Sequence, residues 1–236
     1  MGETEECTLV CVTYPSYSEK YIATVCMAGI TADGELRRIY PVTWKEYQTK
    51  RPSVGEQIRY KIRETATKRS ESCKIYSDSI EIVGHADADS LLSDIQSRCT
   101  TLCTLQDQEA QSLGFIDPVV NDFSIDSSSE HRQKAEKYNE QRTLEGDNLP
   151  VMTLPRQVRF RFDCGPNCET DHRVLCEDIR FCNKYWEFDY RLDSISEVEV
   201  AYSEWAEQFS DMYFMVGTHH RWGTWLVISL LAPQLL

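Results

Sequence analysis

The sequence lacks the short motifs that identify the common enzyme classes. It contains no glycine-rich phosphate loop, no G-x-S-x-G, no H-E-x-x-H, no G-x-G-x-x-G and no H-x-E…P-C-x-x-C pattern. Such motifs place a nucleophile, a metal or a phosphate on one local segment, so their absence excludes the activities that depend on them. A metal nuclease site assembled in space from the abundant Asp and Glu residues stays open.

Long apolar runs are also missing. No stretch approaches the ~20 apolar residues that are needed to cross a bilayer. The start, MGETEECTLV, has neither a basic region nor an apolar region of the kind found in signal peptides. We therefore expect a cytoplasmic protein with no membrane contact. In a reducing compartment, its ten cysteines favour bound metal or free thiols over disulfides.

Positive charge is scarce. The chain has 25 Lys and Arg residues against 38 Asp and Glu, which gives a formal net charge of −13. This balance argues against a protein that coats DNA through a broad basic surface. The acidic residues are spread along the chain, a pattern typical both of a salt-adapted cytosol and of an ordinary acidic protein. In the first case, local basic patches matter more than net charge.

The most informative stretch that is present runs from Val158 to Cys182. Within it, Cys164, Cys168, His172 and Cys176 form the pattern C-x3-C-x3-H-x3-C. Zinc binds thiolates and neutral imidazoles in a tetrahedron, usually where tight turns bring them together. A Gly-Pro-Asn turn follows the first cysteine, and the preceding VRFRF alternates as a strand does. We predict a structural zinc held by these four residues.

Other arrangements of the cysteines stay open. The fourth ligand could instead be Cys182 or a cysteine distant in sequence. Cys99 and Cys103 form a second C-x3-C pair, and the two pairs could share one zinc or an iron–sulfur cluster. Alternatively, the cysteines are reduced thiols, some of them buried as small apolar side chains.

The hydrophobic pattern predicts an α+β fold with three segments. Residues 1–85 contain five strand-like runs with the spacing of a small OB-like β-barrel. These runs cover residues 8–14, 21–30, 35–42, 56–63 and 79–84. We predict a helical and polar connecting segment at 86–146, with 104–118 irregular. A zinc-stapled α+β unit should follow at 147–236.

The C-terminal hairpin is a second candidate for function. DMYFMVGT and TWLVISLLA read as central strands, joined by HHRWG. Arg221 and Trp222 suit phosphate contact and base stacking. His219 and His220 could act as a general base in phosphodiester hydrolysis. The alternative is a polar loop with one tryptophan packed against the fold.

Basic residues on strands supply the remaining candidates for nucleic-acid contact. They lie in LRRIYPV, IRYKIR and VRFRF, where they alternate with apolar residues. The alternative is that they form the solvent face of amphipathic strands. The candidates are Arg37, Arg38, Arg59, Lys61, Arg159 and Arg161.

Several segments resemble an uncharacterised family of bacterial and archaeal proteins. KYIATVCMAGITADGELRRIYPV is similar to its K-Y-x-x-T-V-C-x-A-G-x-x-x-D-G-x-x-x-R-x-Y-P-V-type stretch, and Arg69-Ser70-Glu71-Ser72 to its R-P-E-S turn. FRFDCGPNCETDH resembles its cysteine/histidine strand-turn. DMYFMVGTHH and TWLVISLLAP resemble its C-terminal hairpin. One departure is Asp178-Ile179-Arg180, where family members often carry D-W-E, so no role of that motif transfers to this chain.

The resemblance supplies no activity but does suggest a context. The C-x-A-G…R-x-Y-P-V portion is also similar to OB-like barrel modules of microbial conflict systems, which implies nucleic-acid recognition in a mobile element or in host defence. We therefore predict a nucleic-acid-binding protein with a structural zinc. One alternative is a metal- or histidine-dependent enzyme acting on nucleic acid or nucleotides. The other is a protein-interaction or regulatory module, and a protein partner or a homo-oligomer is compatible with either reading.

Overall fold

The computed structural model describes most of the 236 residues. The described residues are 3–18, 20–65, 69–108, 111–126, 133, 154, 156–165, 168, 170–192, 194–206, 208, 212–219 and 222–236. They form an α+β fold with two β-sheets, as the sequence predicted.

The first sheet contains a closed five-stranded barrel. Its elements are β1 (Thr4–Val12), β2 (Ser16–Ser18), β3 (Ile22–Thr31), β4 (Leu36–Thr43), α1 (Trp44–Lys50), β5 (Glu56–Thr65), β6 (Ser72–Ile75) and β7 (Glu81–His85). The order β1-β3-β4-β6-β5 returns to β1 through the antiparallel β1–β5 pair, while β4 and β6 are parallel. With α1 between its third and fourth strands, this ring is OB-like.

The fifth barrel strand differs from the prediction. It is β6. The run predicted at 79–84 instead forms β7, which pairs with the first part of β5. Strand β6 is short, and it buries only Cys73 and Ile75 between polar neighbours. Two apolar positions are too few to distinguish such a strand from a loop in the sequence.

Close approach of β1 and β3 requires glycine at position 29. A Cβ there would clash with Cys7 Sγ and lie 2.8 Å from the Thr8 carbonyl oxygen. We expect Gly29→Ala to lower the free energy of unfolding by about 2–3 kcal/mol, because neither neighbour can move away cheaply. Urea denaturation measures the change. Gly84→Ala is the control, since its Cβ meets only the end of the flexible Gln57 side chain, and an equal loss in both variants would contradict the explanation.

The second sheet follows the same connectivity. Its elements are α2 (Ala88–Ser97), β8 (Cys99–Thr100), α3 (Leu102–Asp107), β9 (Leu113–Ile116), β10 (Val119–Asp126), β11 (Gln157–Asp163), β12 (His172–Cys176), α4 (Ile179–Arg191), α5 (Ile195–Ala206), β13 (Tyr213–Thr218) and β14 (Trp225–Leu231). The order is β10-β11-β12-β14-β13-β9-β8, with β12 and β14 parallel. Only Asp117 and Pro118 separate β9 from β10, so these two act as one strand bent at the proline. With β9 and β10 counted as one strand, the strand order repeats that of the first ring, and we call this sheet the second ring.

The segment expected to connect two domains contributes to this second sheet. Residues 104–118, predicted as irregular, contain part of α3 and all of β9. All four residues of β9 are buried, and a strand buried on both faces shows no alternation in the sequence. Helix α2 is capped by Asp87, whose carboxylate accepts from Ser90 N. The polar part of the predicted connecting segment, residues 127–146, lies outside the described residues except for residue 133.

The two rings pack against each other through apolar side chains. Val10, Ala28 and Ile30 of the first ring share one core cluster with Met215 and Ile228 of the second. The outward faces of β1 and β3 are therefore covered, and the outward face of β4 lies beside the seam between the rings.

Candidate functional site

Three metal-binding side chains converge at one end of the second ring. Cys103 Sγ lies 3.2 Å from Cys168 Sγ and 3.5 Å from His172 Nε2, and Cys168 Sγ lies 3.3 Å from the same nitrogen. In a zinc tetrahedron, bond lengths of about 2.0–2.3 Å place ligand atoms roughly 3.3–3.8 Å apart. The group therefore has the size of a zinc site, and it could hold a metal ion.

Three separate elements position these ligands. Cys103 lies in the first turn of α3, whose cap is the Thr101 hydroxyl, accepting from Thr104 N. Cys168 closes a turn by donating its backbone N–H to Gly165 O at 3.0 Å. His172 is buried at the start of β12, where its ring packs on Phe162 with centroids 5.4 Å apart.

The local electrostatics favour a thiolate at this group. Slight burial acts to raise the pKa of Cys168, but hydrogen bonds from Cys103, the backbone and His172 outweigh it and lower the pKa to about 6. The thiolate is the form of cysteine that binds metals. Cys168 is therefore prepared as a ligand at neutral pH.

Cys164 lies beside the group but is not one of the three residues whose ligand atoms converge. Its Sγ accepts the backbone N–H of Leu102 at 3.2 Å, one residue before Cys103. Burial raises the pKa of Cys164 to about 11, and the thiols of Cys168 and Cys103 contribute to the increase. The structure thus brings together two of the four predicted ligands, Cys168 and His172, and adds Cys103, while Cys164 lies beside the group.

The other candidate cysteines lie elsewhere. Cys176 is fully buried in the core of the second ring, and it is not part of the metal-binding group found among the described residues. It belongs to β12, like His172. The two residues are at opposite ends of this five-residue strand, which places them more than about 10 Å apart. Cys182 is buried in α4, and Cys99 donates from β8 to the Ile95 carbonyl.

Most of the predicted basic residues are engaged by carboxylates or by other side chains. Arg37 pairs with Glu5, Arg59 with Glu6, and Arg161 with Asp171, at 2.6–2.9 Å.

The remaining candidates are scattered over the surface. Lys61 is exposed on β5, and Arg159 donates to Gln157 at 2.7 Å. The rings of His219 and Trp222 stack with centroids 4.3 Å apart, and Trp222 is 69% exposed. His220 and Arg221 lie outside the described residues.

A second cluster, which we call the barrel face, lies on the first ring. Arg38 and Tyr40 flank the inward-facing Ile39 on β4 and so point outward. Tyr40 is 40% exposed, and its register partner is Lys74 on β6. The other members lie in or beside the two loops that border β4. The barrel face comprises Lys20, Tyr21, Arg38, Tyr40, Arg63 and Arg69.

Electrostatic effects link four of these side chains, namely Lys20, Tyr21, Tyr40 and Arg63. Lys20 is the main cause that lowers the pKa of Tyr21, and Arg63 adds to it. The Lys20 ammonium also lies 5.1 Å from the Tyr21 ring centroid. Burial raises the pKa of Tyr40, whose charged neighbours include Tyr21 and Lys20.

Of the six residues of the barrel face, only Arg38 was a predicted site residue. The signal for three of the others was present, because Lys20, Tyr21 and Tyr40 fall within the K-Y…R-x-Y-P-V stretch. Arg69 begins the R-S-E-S turn. In the sequence, these stretches indicated only a family resemblance. Which of their side chains face outward becomes apparent only once β3 and β4 are paired.

Two family models match the chain, and both carry descriptions without an activity. The domain of unknown function DUF8758 matches residues 3–101, and the domain of unknown function DUF8757 matches residues 96–235. Comparison with curated proteins finds no match. Among solved structures, the tetrameric p202 HIN2 is similar over 99% of this chain and 91% of that chain, at 11% identity and a TM-score of 0.32. Within the described residues, no helix is both long and apolar enough to span a membrane.

Proposed function

We propose that this chain, which belongs to the family of the domain of unknown function DUF8757, binds single-stranded nucleic acid on its barrel face. The sequence resemblance implied the same function, together with a mobile-element or host-defence context and a cytoplasmic location. That context, that location and a homo-oligomeric state stay predictions.

One observation supports the proposal above all. Among the described residues of this acidic protein, seven arginines are ion-paired with Asp or Glu, namely Arg37, Arg59, Arg98, Arg156, Arg161, Arg180 and Arg191. By contrast, Arg38, Arg63 and Arg69 of the barrel face form no ion pair with any described residue. They lie among the tyrosines Tyr21 and Tyr40.

The position of the barrel face agrees with this function. OB-folds bind oligonucleotides on the face of their second and third strands and on the loops that follow strands one and four. Here those strands are β3 and β4, and because the second ring covers Ala28 and Ile30 of β3, the open part of this face consists of β4 and the two loops. Lys20 and Tyr21 lie between β2 and β3, in the connection from the first to the second barrel strand, and Arg69 lies in the loop after β5. Cationic side chains that follow the phosphates and aromatic rings that stack on bases are the usual components of single-strand binding.

The metal centre has a structural role in this proposal. Cys103, Cys164, Cys168 and His172 would hold a zinc that links α3 to the turn between β11 and β12. A site with four protein ligands leaves no open position for a substrate or a water. The zinc would therefore stabilise the second ring and take no part in a reaction.

Tyr40→Ala tests the barrel face directly. Loss of one stacked base costs about 1–3 kcal/mol, so binding of a fluorescein-labelled 12-nucleotide single strand should weaken about 5- to 100-fold. Fluorescence anisotropy at 50 mM salt, with DNA and RNA strands in parallel, measures the dissociation constants.

Tyr190→Ala is the matched control, because this tyrosine is 79% exposed and lies on α4 of the second ring. It should bind like the wild type. Wild-type protein that fails to bind either strand at 50 mM salt, or an equal effect of both substitutions, would contradict the proposed function.

A further inference from the structure

The seam between the two rings contains two arginines that form no ion pair with a described residue. Arg38 reaches it from β4, and Arg69 reaches it from the loop before β6. Each contacts the second ring through a backbone carbonyl, Arg38 at Ser112 and Arg69 at His219. The seam thus combines parts of both rings at one edge of the barrel face.

Arg38 is held firmly but is only partly satisfied. Its Nη2 donates to the Ser112 carbonyl at 2.8 Å and to the Ser112 hydroxyl at 3.2 Å. Its Nε is buried without a hydrogen-bond partner in the described structure. Gly217 leaves room for this guanidinium, because a Cβ at that position would lie 3.1 Å from Nη2. Arg38 is therefore fixed in place, and its guanidinium has more N–H donors than the described structure provides with acceptors.

Arg69 has still fewer acceptors. Its only described hydrogen bond runs from Nη2 to the His219 carbonyl, and at 3.4 Å it is long. Its charge lies near enough to Arg38 to help burial lower the pKa of Arg38. The nearby Glu71 carboxylate accepts from the Ser112 hydroxyl and offsets at most one of the two charges.

Two neighbouring guanidinium groups without a full counter-charge repel each other, and an anion between them removes that repulsion. Phosphate is the anion that matches the forked donors of arginine and the nucleic-acid function proposed above. The stacked rings of His219 and Trp222 lie at the same end of the seam and would contact the base or sugar next to the phosphate.

We propose that Arg38 and Arg69 form a phosphate-binding site at the seam between the two rings. This proposal rests on the proposed function for the identity of the ligand as a nucleic acid. The same chemistry would accept the phosphate of a free nucleotide, and the experiment distinguishes the two sources. In a polynucleotide, the bound phosphate fixes the point at which the strand passes from the first ring to the second.

Arg69→Gln is the main variant, because Arg69 is half-buried and makes one weak hydrogen bond, so the fold should persist. Arg51→Gln is the control, since Arg51 is exposed at the end of α1 and has no ion pair with a described residue. Binding of the labelled 12-nucleotide strand is measured from 50 to 200 mM salt. For Arg69→Gln we expect about tenfold weaker binding and a slope of log affinity against log salt reduced by about 1. Arg51→Gln should keep the wild-type values.

Thermal shift with 5′-AMP and with adenosine provides the second measurement. Stabilisation of the wild type by 5′-AMP but not by adenosine, lost in Arg69→Gln, supports a phosphate site even if no 12-nucleotide strand binds, and the ligand is then a free nucleotide. If Arg69→Gln and Arg51→Gln bind the 12-nucleotide strand equally tightly and with the same salt dependence, the phosphate site is overturned. The barrel face then remains as a binding surface. Absence of both strand binding and 5′-AMP stabilisation overturns both proposals.

Discussion

Replacing Cys168 by serine should remove zinc from the chain and destabilise the second ring. Binding energy of a structural zinc is folding energy, because the ligands are not assembled in the unfolded chain. We expect a loss of at least about 3 kcal/mol, which corresponds to a fall in Tm of roughly 6–12 °C for a chain of this size. Mass spectrometry of the metal in protein purified without added metal, together with thermal denaturation, measures both effects.

Cys99→Ser is the matched control for this experiment. Cys99 belongs to the same C-x3-C pair as Cys103, yet its Sγ donates to the Ile95 carbonyl and lies apart from the metal-binding group. The variant should keep one zinc per chain. Wild-type protein without bound metal would contradict the zinc centre, and iron in place of zinc would point to a cluster or a redox site.

A further pair of variants identifies the fourth ligand. Cys164→Ser should lose the metal, because Cys164 lies beside Cys103 and Cys168. Cys176→Ser should keep the metal and lose stability only, since its buried thiol lies in the apolar core. The opposite result would restore the ligand set predicted from the C-x3-C-x3-H-x3-C pattern.

The second large effect is expected for Asp178→Ala. This carboxylate is 1% exposed and accepts from Leu230 N at 2.9 Å and from Arg180 N at 2.8 Å, and it forms an ion pair with the Arg180 guanidinium at 2.5 Å. The same carboxylate caps α4, while the backbone of Asp178 forms a β-bridge to Thr13 of the first ring. The substitution leaves the half-buried guanidinium of Arg180 without its counter-charge and the backbone N–H of Leu230 without its acceptor. A loss of about 3–5 kcal/mol should follow, with a fall in Tm of roughly 6–20 °C.

Glu187→Gln is the control for Asp178→Ala. Glu187 pairs with Lys184 and Arg191 on the exposed side of the same helix. Exposed ion pairs contribute about 0–1 kcal/mol, so this variant should unfold within about 3 °C of the wild type. A Tm for Asp178→Ala that equals that of Glu187→Gln would contradict a stabilising role of the buried pair.

The strands of the first ring were largely predictable from sequence. Strands β1, β3, β4 and β5 alternate apolar and polar residues or carry long β-branched runs, and these signals are local. Strand β6 was missed because it buries two residues only, and β9 because it is buried on both faces. The repeated connectivity of the two rings could not be predicted, since it depends on β9 and β10 acting as one strand across Pro118.

The metal centre was predicted in part. Cys168 and His172 are close in sequence, and one turn brings them together. Cys103 is distant in sequence, and it joins them because α3 packs against the turn after β11. The sequence pattern offered Cys176 in its place, which lies at the far end of a strand that starts at His172.

By itself, the sequence determined the class of fold, most strands of the first ring and the presence of a cysteine/histidine centre, because periodicity and short spacing are local properties. Only the tertiary structure decided which basic residues can meet a ligand. Arg37 and Arg38 are neighbours in the chain, yet Arg37 pairs with Glu5 across the barrel while Arg38 reaches the seam. Successive residues of a strand face opposite ways, so their partners are set by the strands and rings that pack on each side. Which positive charges remain available to a ligand is therefore decided by the fold.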